Sequence, residues 1–154
     1  MDDTLHIRSF ASHDQDAARG LILQGLGEHF GFIDETLNPD LDDISAYYLA
    51  SGHLFLVAER RQTLVGTGAL LLQPAATGEL VRISTHSAYR RLGIARAICL
   101  HLIEYAHQLK LRTLIVKTNL GWDGAIKLYQ RLGFVEYRRS TAGLALALDL
   151  SLLS

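Results

Sequence analysis

The sequence predicts a single α/β domain: a mixed, mostly antiparallel sheet of six to seven strands, flanked by about four helices. Three observations lead there. Residues 53–85 hold three apolar strand signals in succession, joined by short connections, the pattern of an antiparallel meander. A long amphipathic stretch from about Gly93 to Leu109 is followed within a few residues by another strand signal, Thr113 to Thr118. Strand–helix–strand at that spacing implies a parallel crossover. No linker-like segment divides the 154 residues, a length in the usual range for one domain.

The elements follow in order. Leu5 to Phe10 reads as a short strand. From about Asp14 to Phe30 the apolar spacing is helical (Ala18, Leu21, Ile22, Leu26), with Asp14 placed to cap the N-terminus. Gly25 and Gly27 weaken the end of that helix, and Gly31-Phe32-Ile33 leads into a loop containing Pro39. A second short helix is expected from about Asp42 to Ala50, closing at Gly52. An apolar loop between two helices is expected to pack on something or to cover a site. The meander is His53 to Glu59, a turn at Arg61-Gln62, Thr63 to Leu72, a connection over Pro74 to Gly78, and Glu79 to Thr85. In the long helix, Ile94, Ala97, Ile98, Leu102, Tyr105 and Leu109 fall on one stripe. Asp123 to Leu132 is a shorter amphipathic helix stopped by Gly133. Two strands, Phe134 to Arg139 and Leu144 to Leu152, close the chain, and the second is apolar enough to lie at a homodimer interface.

Composition bounds the function. With 49% apolar and 20% charged residues the chain has the make-up of a packed globular domain. Fifteen basic against sixteen acidic residues leave a net charge of −1, without the basic excess that nucleic acid demands. No apolar run is long enough to span a membrane, and Met1-Asp2-Asp3-Thr4 is acidic rather than signal-like, so a soluble protein without a membrane partner is expected. Cys99 is the single cysteine and cannot form an internal disulfide, which suits a reducing cytoplasm. It falls inside the long helix, where a small core residue is expected rather than a nucleophile. His101 and His107 share that helix without further ligands nearby, so no metal is expected.

The chemistry gathers at Arg90-Arg91-Leu92-Gly93-Ile94-Ala95, between a strand and the long helix. A strand feeding a small-residue turn and then a helix aims several free backbone N–H groups at one spot. The positive end of the helix dipole adds to them and makes an anion site. Gly93 admits close approach, Ala95 leaves the next turn uncluttered, and Arg90, Arg91 and Arg96 add positive charge. A pyrophosphate is the natural guest. The segment is neither a P-loop nor the three-glycine dinucleotide fingerprint.

Arg90-x-x-Gly93-x-Ala95 resembles the Q/R-x-x-G-x-G/A coenzyme A signature of the GNAT N-acetyltransferase superfamily. Glu79-Leu-Val-Arg-Ile-Ser-Thr-His86 is similar to the strand that precedes it there, the fourth, which splays from its neighbour. Asn119 followed by Ala125-Ile-Lys-Leu-Tyr-Gln-Arg-Leu-Gly-Phe134 resembles the family's second motif, N…A-x-x-L-Y-x-x-x-G-F. The close resemblance covers about residues 78–138, and the order of elements matches along nearly the whole chain. It implies a GNAT-like sheet splayed at the fourth strand, acetyl-CoA as cofactor, and direct transfer of acetyl to an amine in a ternary complex, with fourth-strand backbone donors polarising the thioester carbonyl.

The resemblance also implies roles. Leu92, Gly93, Ile94, Ala95 and Arg96 would offer backbone N–H groups to the pyrophosphate, with Arg90 and Arg91 beside them. Ile83 and Thr85 would pair their backbones with the pantetheine arm as an added strand. Asn119 would hold the pantetheine or an ordered water. Tyr129 is the candidate general acid: a departing thiolate needs a proton, and a tyrosine hydroxyl within reach of the sulfur can supply it. Glu79, eleven residues ahead of Arg90, matches the glutamate base of the histone-acetylating members. His86, whose imidazole titrates in a suitable range, is the fallback base. For the acceptor, attention falls on Phe30, Phe32, Ile33, Glu35 and Tyr47. Asp34 or Glu35 would hold a cationic amine, and Arg138 or Arg139 a carboxylate. The expected acceptor is a small-molecule amine or amino acid rather than a protein tail. The rival reading is a non-catalytic acyl-CoA-binding sensor or assembly domain, against which the presence of both Tyr129 and Asn119 argues.

Overall fold

The computed structural model describes residues 4–30 and 38–153. Ten regular elements follow one another: β1 (His6–Ser9), α1 (Gln15–Phe30), β2 (Leu54–Arg60), β3 (Thr63–Gln73), β4 (Thr77–Thr85), α2 (Ile94–Gln108), β5 (Thr113–Thr118), α3 (Asp123–Arg131), β6 (Val135–Ser140) and β7 (Gly143–Asp149). The strands form one seven-stranded sheet in the order β1-β2-β3-β4-β5-β7-β6. Contacts gather into two compact units, Met1–Ala69 with Arg82–Cys99, and Leu70–Val81 with Leu100–Ser154.

In the first unit β1 pairs antiparallel with β2, His6 opposite Glu59. The turn into β3 falls at Arg61 and Gln62, with φ of 51° and 65°; two left-handed residues in a two-residue hairpin match the twist of the strands they join. Phe10, Tyr48 and Phe55 are buried, with Phe55 meeting the other two rings edge-on at 5.5 and 5.1 Å. Asp14 stands just ahead of α1 as expected, but its carboxylate turns back to accept from Ala11 N–H at 2.8 Å and from Arg8 Nη1 and Nη2 at 2.7 and 2.9 Å. The helix expected over 42–50 is shorter and wider. A 3₁₀ turn at Pro39–Leu41 is followed by Ser45–Leu49, whose bonds skip five residues, Ala50 N–H reaching Ser45 C=O at 2.9 Å. β3 and α2 come close at Gly66, where a Cβ would lie 2.8 Å from both Ile94 Cγ2 and Ile98 Cδ1. Only glycine lets the helix seat there.

In the second unit β4 runs parallel to β5, with register from Thr77 opposite Thr113 to Leu80 opposite Val116. The predicted crossover is therefore present. β4 begins at Thr77, two residues before the expected Glu79, because Ala75 and Ala76 (φ 62° and 54°) complete the hairpin turn. β7 pairs with β5 on one side and β6 on the other, and β6, all six residues exposed, takes the edge. β7 ends at Asp149 rather than Leu152. The Asp149 carboxylate accepts from Ser151 N–H and Oγ at 2.9 and 2.6 Å, turning Leu150–Leu152 into a 3₁₀ turn.

The buried stripe of α2 holds Ile94, Ile98 and Leu102 as expected, joined by Cys99, Ile103 and Ala106. Tyr105 and Leu109 are instead exposed, at 41% and 51%. Tyr105 lies at the margin of the buried arc and Leu109 beyond the last turn, where the stripe no longer faces the core.

Candidate active site

β4 delivers the chain to the turn at Arg90 through His86, whose N–H donates to Val65 C=O at 2.8 Å. In that turn Arg91 and Gly93 are left-handed, with φ of 64° and 78°. Alternation of this kind folds successive N–H groups into a concavity, the geometry of a backbone anion nest. The first helical bond of α2 runs from Ala97 N–H to Gly93 C=O at 3.0 Å, so the amides of Ile94, Ala95 and Arg96 precede the ladder and point out of the helix N-terminus. Ile94 is buried against Gly66, which fixes the first turn of the helix. A Cβ built on Gly93 would meet no protein atom within 4 Å, so the side of the turn that glycine leaves bare is open. Arg90, Arg91, Leu92 and Arg96 are exposed around it, Leu92 at 55%. An open concave turn lined by backbone donors and ringed by three arginines fits a pyrophosphate.

Arg90 carries a counter-charge of its own: Glu28 Oε2, near the end of α1, lies 2.6 Å from its Nη1. Ile83 and Thr85 are half-buried at the end of β4. Between the expected splay and these residues the strand bends. Arg82 is left-handed at φ 56°, a conformation that costs a non-glycine residue about 1–2 kcal/mol. Its carbonyl accepts from the fully buried Thr67 Oγ1 at 2.8 Å. Its guanidinium clasps Asp40, Nε to Oδ2 at 3.0 Å and Nη2 to Oδ1 at 2.7 Å, and Nη2 also donates to Asn38 Oδ1 at 3.1 Å. The Tyr48 hydroxyl donates to Asp40 Oδ2 at 2.5 Å. Burial by itself would push the Asp40 carboxyl up, but the bonds from Arg82 and Tyr48 outweigh it and hold the group below the usual carboxylate range. Burial and the bond to Asp40 push the Tyr48 hydroxyl above its ordinary value.

In the second unit Glu79 stands on β4 opposite Ile115. Its Oε1 accepts from Gln73 Nε2 at 2.9 Å and lies 3.7 Å from Lys117 Nζ. Its side chain is 12% exposed, so the carboxylate is held in place rather than free in solvent. Asn119 follows the end of β5 and its carbonyl accepts from Trp122 N–H at 3.3 Å, shaping the turn into α3. Tyr129 is buried on α3, 6% exposed, with Phe134 edge-on to its ring at 5.9 Å. Its carbonyl accepts from Leu132 and Phe134 N–H at 3.1 and 3.0 Å, so the helix end folds back around it.

His86 Nδ1 accepts from Ala88 N–H at 3.1 Å, which engages the ring in the turn. Cys99 is fully buried and its thiol is pushed up to about 12 by burial, which disfavours the thiolate a nucleophile would need. Tyr47 is 52% exposed and edges onto Tyr48. Arg139 pairs with Glu136 and Arg138 lies over the Tyr137 ring at 5.8 Å, both on exposed β6. Phe32, Ile33, Asp34 and Glu35 lie outside the described residues, as does the side chain of Phe30. The Arg82–Asp40–Tyr48 cluster and the Glu28–Arg90 pair went unseen in the sequence: their members are far apart along the chain, and no local pattern marks them.

Residues 22–134 match the model of the Acetyltransferase (GNAT) family. The chain belongs to the GNAT acetyltransferases. Among relatives of this GNAT chain, N-acetyltransferase 8 of Rattus norvegicus is 33% identical over 109 residues, 67% of this chain and 49% of the relative. N-acetylaspartate synthetase of Danio rerio is 35% identical over 105 residues, 67% of this chain and 37% of the relative. The match thus spans about half the length of these relatives or less. The fold agrees with that of a Staphylococcus aureus GNAT acetyltransferase, at a TM-score of 0.87 and 22% identity over 96% of this chain and 99% of the other. It agrees too with PaiA N-acetyltransferase of Thermoplasma acidophilum, solved in complex with coenzyme A, at a TM-score of 0.83 and 15% identity over 95% and 99% of the two chains. The seven-stranded GNAT sheet with its parallel β4–β5 pair is the fold predicted from the sequence.

Proposed function

We propose that this chain transfers acetyl from acetyl-CoA to the primary amine of a small molecule, an amino acid or a compound like one. The observation that carries the reading is the turn from Arg90 to Gly93, with two left-handed residues and the free amides of α2 behind it. The family uses acetyl-CoA, and the coenzyme supplies an activated acetyl thioester. Leu92 to Arg96 hold its pyrophosphate through their backbone amides, helped by the guanidinium groups of Arg90, Arg91 and Arg96. Ile83 and Thr85 hold its pantetheine arm as a strand holds a neighbour. Asn119 is the candidate for holding the pantetheine or an ordered water.

Glu79 takes the proton that the attacking ammonium must lose, directly or through water, while Gln73 and Lys117 keep its carboxylate oriented. Tyr129 holds the proton that the departing thiolate needs, and burial of its ring on α3 fixes the side chain in place. A small acceptor is supported by the relative named for synthesising N-acetylaspartate, an acetylated amino acid. Phe30, Phe32, Ile33, Glu35 and Tyr47 are the positions from which the acceptor pocket is drawn, with Asp34 or Glu35 as the carboxylate for a cationic amine.

Calorimetric titration with acetyl-CoA, followed by thiol-release assays over a panel of amino acids, amines and a lysine peptide, tests this. Saturable binding with release by one amino-acid class is expected. Release with the peptide alone would overturn the small acceptor, and binding without release from any amine would favour an acyl-CoA sensor.

A further inference from the structure

Arg82 is the one residue in the described part of β4 with a left-handed backbone, and it is not glycine. Val81-Arg82-Ile83 has every local reason to be plain extended strand. The bend must therefore be imposed from outside the strand, by contacts to the Arg82 carbonyl and guanidinium. Thr67 Oγ1 takes the Arg82 carbonyl at 2.8 Å, a side-chain hydroxyl where a regular sheet would present a backbone amide. Asp40 takes the guanidinium at both ends of its fork, 3.0 and 2.7 Å, and is itself gripped by Tyr48. The Arg82 and Asp40 side chains are only 20% and 11% exposed, so the pair is rigid rather than a loose surface bridge. The residue after the bend is Ile83, and three residues on from Arg82 is Thr85, where the strand is read as meeting the acyl-pantetheine arm.

We propose that Arg82 is a positioning residue for acetyl transfer: Asp40 clasping its side chain and Thr67 holding its carbonyl keep β4 bent so that the amides beyond the bend point at the thioester carbonyl. The inference rests on the acetyl-CoA reading above and adds to it the device that aims the donors. An ion pair kept only for stability would have no reason to sit on the one bent residue of this strand. A fork-shaped guanidinium is needed, because two parallel bonds fix rotation as well as distance, which a lysine ammonium cannot do.

The test is the infrared carbonyl band of ¹³C-labelled acetyl-CoA bound to wild type, Arg82→Lys and Thr67→Val, with circular dichroism to confirm folding and calorimetry with coenzyme A for affinity. In the wild type the bound band is expected below that of free acetyl-CoA, because donors aimed at the oxygen weaken the C=O bond. In both variants it should move back toward the free value while coenzyme A affinity stays within about twofold, since the pyrophosphate turn is untouched. Turnover on the best amine should fall roughly ten- to a hundredfold, with KM for acetyl-CoA little changed. Thr67→Val carries the test by itself if Arg82→Lys does not fold. Folded variants with the wild-type carbonyl band would overturn the inference alone. A wild type that does not bind acetyl-CoA would overturn the function reading, and the inference with it.

Discussion

Glu28 Oε2 lies 2.6 Å from Arg90 Nη1, so a carboxylate from α1 occupies the first arginine of the anion-binding turn. Both side chains are partly exposed, 37% and 46%, and such a pair is worth little to stability. Its importance is competitive. A phosphate that recruits Arg90 must take it from Glu28. Glu28→Gln is expected to tighten coenzyme A binding by up to about fivefold and to steepen its salt dependence. Titration calorimetry at two ionic strengths checks this, and weaker binding would show that Glu28 serves the cofactor rather than competing with it.

Gly93 has φ 78° and open space where a Cβ would stand. Gly93→Ala should fold, losing about 1–2 kcal/mol to backbone strain, and should bind acetyl-CoA at least about tenfold more weakly. Thermal unfolding and calorimetry separate the two effects. A folded variant with unchanged affinity would sink the phosphate-cradle argument.

Tyr129→Phe keeps the buried ring and its packing on Phe134 and removes only the hydroxyl. Turnover is expected to fall about a hundredfold or more, with coenzyme A affinity nearly unchanged. Steady-state kinetics across pH would show the alkaline limb flattened. An unaltered rate at every pH removes the residue from the chemistry.

The Asp14 carboxyl is held below its usual range first by the hydrogen bonds from Arg8 and then by that of Ala11 N–H, working against burial. A carboxyl whose pKa is lower in the folded state stabilises fully above its unfolded value, near 4, and that stability is lost as pH falls through the folded value. Asp14→Asn should lose about 2 kcal/mol at neutral pH and show a shallower decline in stability below about pH 4. Urea unfolding at pH 7, 4 and 3 measures both. An equal loss at every pH would mean that the pair contributes by shape and not by charge.

What could be read ahead of the structure was local. The turn at Arg90 to Gly93, the stop at Gly133 and the crossover from β4 to β5 are written in adjacent residues, and each is where it was expected. Tyr105 and Leu109 misled because a helical stripe shows periodicity but not which edge of the arc meets the core. Asp14 was recognised as a helix-end residue but not as the partner of Arg8, because capping statistics carry no information about a neighbouring strand. Arg82 and Asp40 are 42 residues apart, one in a strand and one in a polar turn, and neither type is unusual where it stands. A left-handed arginine has no signature in sequence, since only the contacts that hold it make it affordable.

The threading of the two compact units has an effect on how the protein can be handled. Neither unit is an unbroken stretch: one lends the other residues 70–81 and takes the chain back at 82, and the changeover recurs within α2 between Cys99 and Leu100. A fragment ending near residue 69 would lack Arg82 and Arg90, and one beginning at 100 would lack Glu79. Neither unit can be cut out as one continuous stretch without carrying residues of the other. A tag or fluorescent insert belongs instead at the Arg61–Gln62 hairpin tip, where the break falls within a single unit and both flanking strands stay attached to their own neighbours.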